Sequence, residues 1–175
     1  GEGETRVETF TVQSVDGTPH TVTITITGTN DKAIISGDAE GAVTEGNGNI
    51  VLSDSGTLTA VDVDGKDADN TFRTDVAAVA HPTEGGPLGS LTITEGGVWT
   101  YNVDNSNGTV NALRTSSNTL TDTFNYKVIN SSSKVSEGTL TVTVQGANDA
   151  PVAVADTSSA YEAGGVGNGT TGSNP

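Results

Sequence analysis

The chain has no cysteine and no methionine, a single tryptophan, and aromatic residues at only 4% of its 175 positions. Without cysteine, neither a disulfide nor a thiolate metal site can staple the fold, so any stiffening of loops must come from elsewhere. No apolar run approaches the roughly 20 residues of a membrane-spanning helix. Cationic residues are scarce, 7 against 22 acidic ones, and the net charge is −15. A surface of that sign repels nucleic acid and anionic lipid, which argues against nucleic-acid partners and membrane insertion, and it attracts cations. Acidity also serves solubility, so charge alone does not select a ligand. The two histidines, His20 and His81, stand in Pro-containing stretches without a recognisable nucleophile. No phosphate-binding loop, His/Cys cluster or Gly-x-Ser-x-Gly elbow is present, and the chain is expected not to be an enzyme. No leader peptide is visible, but the segment reads as internal, so this says nothing about export.

What the sequence does have is threonine, valine and 23 glycines, a β-forming composition. Apolar and polar residues alternate in Val22, Ile24, Ile26, in Leu91, Ile93, in Trp99, Tyr101, Val103, in Phe124, Tyr126, Val128 and in Leu140, Val142, Val144. Such alternation marks antiparallel strands with one face on a core. Trp99 invites a sugar-stacking reading, but its alternation with Tyr101 places it in that core. Glu95-Gly96-Gly97 reads as a tight hairpin and Asp104–Gly108 as the next turn. One helical turn is expected in Ala112–Ser116, and the weak helical signal of Val76–Ala80 is stopped by His81-Pro82. The expected fold is an all-β, antiparallel Greek-key β-sandwich of the immunoglobulin or cadherin kind, with about seven to nine short strands.

The chain also repeats itself. Glu8-Thr9-Phe10-Thr11-Val12 recurs as Asp122-Thr123-Phe124-Asn125-Tyr126, 114 positions on. The strand Thr21–Thr27 with its Gly28-Thr29-Asn30-Asp31 recurs as Thr139–Gln145 with Gly146-Ala147-Asn148-Asp149, 118 positions on. The difference falls in one loop, as in homologous domains joined in series. Residues 1–31 are therefore expected to be the C-terminal strands of a preceding copy, and 32–150 a complete sandwich. Residues 151–175, rich in Gly, Asn, Thr and Ser, are expected to begin a following copy without structure of their own.

Three groups of oxygen-bearing residues stand out. They are the pairs Asn30-Asp31 and Asn148-Asp149, the cluster Asp62, Asp64, Asp67 and Asp69, and the lone Glu45 in Val43-Thr44-Glu45-Gly46. Calcium takes six to eight oxygen ligands, and alternating aspartates in a Gly-containing loop can turn two carboxylates toward one point. The same residue types also simply make turns. Two specific calcium motifs are excluded. Counted from Asp62, EF-hand positions 6 and 12 hold Asp67 and Arg73 instead of Gly and Glu. In Gly164–Gly169 a glycine replaces the aspartate of the nonapeptide repeat. The sequons at Asn107, Asn130 and Asn168 read as incidental.

The blocks Gly56–Gly65, Gly89–Ile93 with Gly97–Tyr101, Leu120–Tyr126 and Gly146–Pro151 resemble, in order, those of VCBS repeats. Lys32-Ala33 departs from the usual Ala-Pro. The resemblance implies a cadherin-like fold in a large RTX-type bacterial adhesin exported by type I secretion. It further implies calcium-stiffened extender domains, at the cell surface or secreted, whose partners are neighbouring repeats and, through other domains, host-surface or matrix ligands. By analogy with cadherin junctions, Asn30, Asp31, Glu45, Asp62 and Asp64 match the ligands in type and order, with their grouping around ions open. Other readings of the residues are a glycan-binding or homophilic module, for which Tyr161 is the loose aromatic candidate, and an accessory domain of a secreted enzyme.

Overall fold

The structure, a computed structural model, describes residues 1–65, 70–81, 83–151 and 153–158. A two-stranded ribbon, β1 (Thr5–Gln13) and β2 (Pro19–Thr27), precedes the sandwich. One layer of the sandwich holds β3 (Ile34–Gly37), β5 (Val51–Val61), β9 (Val98–Asp104) and β8 (Ser90–Ile93), in the order β3-β5-β9-β8. The other holds β4 (Glu40–Thr44), β11 (Val135–Gln145), β10 (Thr119–Ile129) and β6 (Thr71–Phe72), with β7 (Ala77–Val79) also on β10. Among the described residues, nine strands thus form an all-β sandwich of the expected class.

The core lies between the layers. Leu58, Ile93, Trp99, Tyr101 and Val103 face Phe72, Phe124, Tyr126, Val128, Leu140, Val142 and Val144, all buried. Alternation put these side chains on one face, and burying that face drives the two sheets together. Trp99 is fully buried and belongs to the core, not to a stacking platform.

Two local expectations need correction. One pair is parallel, not antiparallel: β4 runs alongside β11 in the same direction. The chain leaves β3, which is antiparallel to β5, through Gly37 at φ 108°. It then crosses to the opposite layer without reversing, a step the left-handed glycine permits. The helical turn is α1 (Gly108–Asn111), earlier than Ala112–Ser116. Asn107 caps it by accepting the Thr109 N–H at 2.9 Å, and buried Val110 anchors it. Val76–Ala80 contains strand β7, which pairs with β10.

Tyr101 donates its hydroxyl proton to the buried Asp122 carboxylate at 2.8 Å. Burial, and then that bond and the carboxylate charge, hold its phenol well above the ordinary 10.0; burial also raises Tyr126. A raised folded-state value makes a stabilising contribution that is complete below the unfolded value, about pH 10, and is lost as pH climbs above it. In an alkaline titration the tyrosinate absorbance of these two side chains should therefore rise only together with loss of the β-sheet circular dichroism. Ionisation of both well before unfolding would contradict this placement.

Candidate functional site

The described residues among those picked out by the sequence fall at two opposite ends of the sandwich. β11 connects them: it starts beside the β10–β11 turn at Asn130 and ends beside Glu45. Its 11 residues span roughly 35 Å at about 3.3 Å each. Glu45 therefore does not share a site with Asn30, Asp31, Asp62 and Asp64 of this unit, although all five match one ligand list in sequence order.

At the first end, the chain enters from the ribbon. Gly28 donates its N–H to the Glu4 carbonyl at 2.8 Å, and Gly146 donates to the equivalent Asn118 carbonyl at 3.0 Å. A Cβ at Gly28 would stand 2.0 Å from the Gly1 carbonyl oxygen, and one at Gly146 would stand 2.7 Å from Leu113. Close backbone approach thus explains why both Asn-Asp pairs follow a glycine. Asp31 N–H then donates to Asp64 Oδ2 at 2.8 Å, and Asp64 N–H donates to Asp62 Oδ1 at 2.9 Å. Asn130 reaches in from the β10–β11 turn. Its amide donates to Asp62 Oδ2 at 3.2 Å and to the Asp31 carbonyl at 3.3 Å. Glu2 lies at the same end, where its carboxylate accepts from Ser132 Oγ at 2.7 Å. Asn30 is buried, and its Nδ2 has no hydrogen-bond partner.

At the second end, Glu45 is only 2% exposed. Its Oε2 accepts the Ala147 N–H at 2.9 Å, and its Oε1 is buried without a partner. A buried carboxylate with a bare oxygen is costly unless a cation or donor meets it. The neighbouring Asn47 Oδ1 accepts the Ala150 N–H at 2.7 Å, so this loop holds the chain as it leaves β11. Asn148 and Asp149 lie exposed beside it, with Asn148 donating to the Asp149 carbonyl at 3.3 Å.

Asp67, Asp69 and Tyr161 lie outside the described residues. Among the described residues, no three His, Cys, Asp or Glu side chains gather closely enough to hold a metal ion by themselves. His20 is the second residue of strand β2, and His81 Nδ1 bonds Thr83 Oγ1 at 3.0 Å within its own loop.

Asn130, Asn105 and Glu2 were not singled out as site residues from sequence. Asn130 and Asn105 sit in turns, where Asn needs no further explanation, and their burial comes from partners far along the chain. Asn105 is fully buried and grips the loop that carries Glu45: its amide donates to the Gly46 carbonyl and to the Gly48 carbonyl at 2.8 Å. Asn105→Ala would take the side-chain donor from the Gly46 carbonyl and leave the Gly48 carbonyl with only the Ile50 N–H at 3.1 Å. It is expected to cost about 2–3 kcal/mol in urea unfolding, with amide exchange accelerating first over residues 46–50. Unchanged exchange there would show that Asn105 does not hold the loop.

A family model described as a bacterial cadherin-like domain matches residues 30–146. The search of curated proteins returned no match.

Proposed function

The chain belongs to the bacterial cadherin-like domain family, and from that premise we propose that it is a calcium-stiffened extender unit of a secreted or surface-anchored bacterial adhesin, serving cell adhesion or biofilm formation. Domains of this family are structural and adhesive modules, typically extracellular and not typically catalytic. Among the described residues, no helix is long and apolar enough to cross a membrane. The setting in a VCBS-repeat, RTX-type protein exported by type I secretion is part of the same proposal, as are neighbouring repeats as the immediate partners.

The observation that carries the reading is the partnerless, buried Glu45 Oε1, at the end where Asn148-Asp149 leads out of the sandwich. The donor chemistry fits a hard cation: carboxylate, amide and carbonyl oxygens, with no nitrogen or sulfur ligand required. Glu45, Asn148 and Asp149 would hold calcium at one end, and Asn30, Asp31, Asp62 and Asp64 at the other. When bound, calcium would supply a compact double positive charge for these oxygens. The residues themselves do the positioning. Glu45 ties the exit segment through Ala147, while Asp64 and Asn130 tie the entry segment through Asp31. Neutralising carboxylates that otherwise repel one another would turn a hinged linker into a rigid joint. Because each end supplies only part of a shell, binding should be weak, on the order of 10⁻⁴–10⁻³ M as in extracellular modules.

Thermal unfolding with and without calcium tests this. At about tenfold excess over such a dissociation constant, calcium should add about 1.4 kcal/mol and raise the midpoint by roughly 4–8 °C. Glu45→Gln keeps an acceptor for Ala147 but removes the buried charge. Its calcium-free stability should equal or exceed that of the parent, while the calcium-induced rise is at least halved. Screening alone also relieves a charge of −15. The reading therefore fails if calcium leaves the midpoint unmoved, or if potassium or magnesium at matched ionic strength gives the same rise.

A further inference from the structure

The ribbon β1–β2 carries an apolar face that no other described strand covers. Phe10, Val12, Val22, Ile24 and Ile26 share that face by register and are each 45–54% exposed. A lone two-stranded ribbon is marginal in water, so such a face marks an interaction surface.

The chain itself shows what fits there. Phe10 pairs with Val22 as Phe124 pairs with Leu140, and Glu8 pairs with Ile24 as Asp122 pairs with Val142. The ribbon is thus β10–β11 again, in the same register. In the complete unit the matching side chains Phe124, Tyr126, Leu140, Val142 and Val144 are at most 5% exposed, under the layer β3-β5-β9-β8. The correspondence extends to a polar position. Asp122 accepts backbone N–H groups from Leu88 and Gly89 where the opposite layer begins. Its counterpart Glu8 lies on the open face, 41% exposed and paired only on the surface with Arg6 at 3.0 Å.

We propose that the apolar face of β1–β2 is the docking surface for a four-stranded sheet of the β3-β5-β9-β8 kind, carried by a cadherin-like unit placed ahead of the ribbon in the same polypeptide. Position in the chain selects this occupant over a second copy. In the unit, the four-stranded layer is completed by β9 and joins β10 through the short stretch containing α1, so the cover comes before the pair it covers. Glu8 also calls for backbone N–H donors, which the entry to β8 supplies and a second ribbon does not. A charge of −15 further opposes self-association. The inference rests on the tandem-unit reading but not on calcium.

The test compares the full chain with a version in which residues 30–114 are placed directly before Gly1, which is the register equivalent of Thr115. Hydrogen exchange is read in chelator, without calcium. The amides of β1 and β2 should slow by roughly two orders of magnitude or more in the extended chain, as expected when a marginal ribbon becomes a packed sheet. Phe10→Ser and Ile24→Ser should abolish that protection and leave β3–β11 unchanged. The full chain alone should sediment as a monomer. Unprotected ribbon amides in the extended chain would overturn the proposal, as would a dimer of the full chain that Phe10→Ser dissolves. Loss of the calcium response in the thermal assay would leave this result standing, so the two readings fail separately.

Discussion

Trp99→Ala should be among the most damaging single changes in the sandwich, with a loss of about 3–5 kcal/mol in urea unfolding. Trp99 is 0% exposed, and its indole N–H donates to the Asp38 carbonyl at 2.7 Å. Its ring fills the space that two glycines leave open. A Cβ built on Gly56 would stand 2.6 Å from the ring, and one on Gly41 would stand 2.9 Å from it. Gly56 and Trp99 pair across β5 and β9, while Gly41 lies on β4 in the opposite layer, so the indole joins both sheets at the crossing from β3 to β4. Truncation removes the largest buried side chain and leaves a cavity between backbones that cannot collapse. Against a total stability of about 5–15 kcal/mol, the loss would bring the domain near its unfolding threshold. The geometry also fixes a coupling. Gly56→Ala alone should cost about 1–3 kcal/mol by overpacking, and much less in the Trp99→Ala background, where the ring is gone. Additive losses in that double mutant would show that the ring and Gly56 do not compete for the same space.

Alternation along the strands located Trp99 in the core before any geometry was known, because side-chain period and strand pleat are one physical fact. The hairpin at Glu95–Gly97 and the two copies of the Gly-x-Asn-Asp segment were legible for a similar reason, being local in sequence. What stayed hidden depends on contacts between distant positions. Glu45 stands in sequence between Asp31 and Asp62, yet it lies at the other end of the sandwich because β4 runs parallel to β11 toward the exit. Asn130 and Asn105 read as ordinary turn residues, and only the fold reveals bonds to Asp62 and to Gly46 and Gly48 across 68 and 57–59 positions. The helical turn at Gly108–Asn111 has a local cause, namely Asn107 as a cap with Val110 in reach of the core.

Asp122→Ala is expected to cost about 3–5 kcal/mol, because one buried side chain satisfies three donors from the facing layer. Asp122 is 1% exposed. Its Oδ1 accepts the Leu88 N–H at 2.9 Å, and its Oδ2 accepts the Gly89 N–H and the Tyr101 hydroxyl, each at 2.8 Å. These bonds fasten the segment that crosses from β7 in one layer to β8 in the other. The Gly89 backbone has no slack, since a Cβ there would meet the Tyr101 ring at 2.5 Å. Alanine would leave two half-buried backbone N–H groups and a fully buried phenol without their acceptor, and the cost of such groups exceeds the net worth of the bonds they made. Asp122→Asn preserves shape but turns an NH₂ toward at least one of these donors, and should cost less, about 2–3 kcal/mol. Tyr101→Phe removes one donor together with its need for a partner, and should cost only about 1 kcal/mol. In a double-mutant cycle, Asp122→Ala with Tyr101→Phe should then lose less than the sum of the two, because the phenol is no longer stranded. Additivity, or an Asp122→Ala protein as stable as the parent, would mean that the crossover is held by packing alone. The same reasoning applies to Glu8 in the ribbon: an acid at this position of the core face needs backbone donors from a facing sheet, so its exposure marks an interior awaiting its second layer.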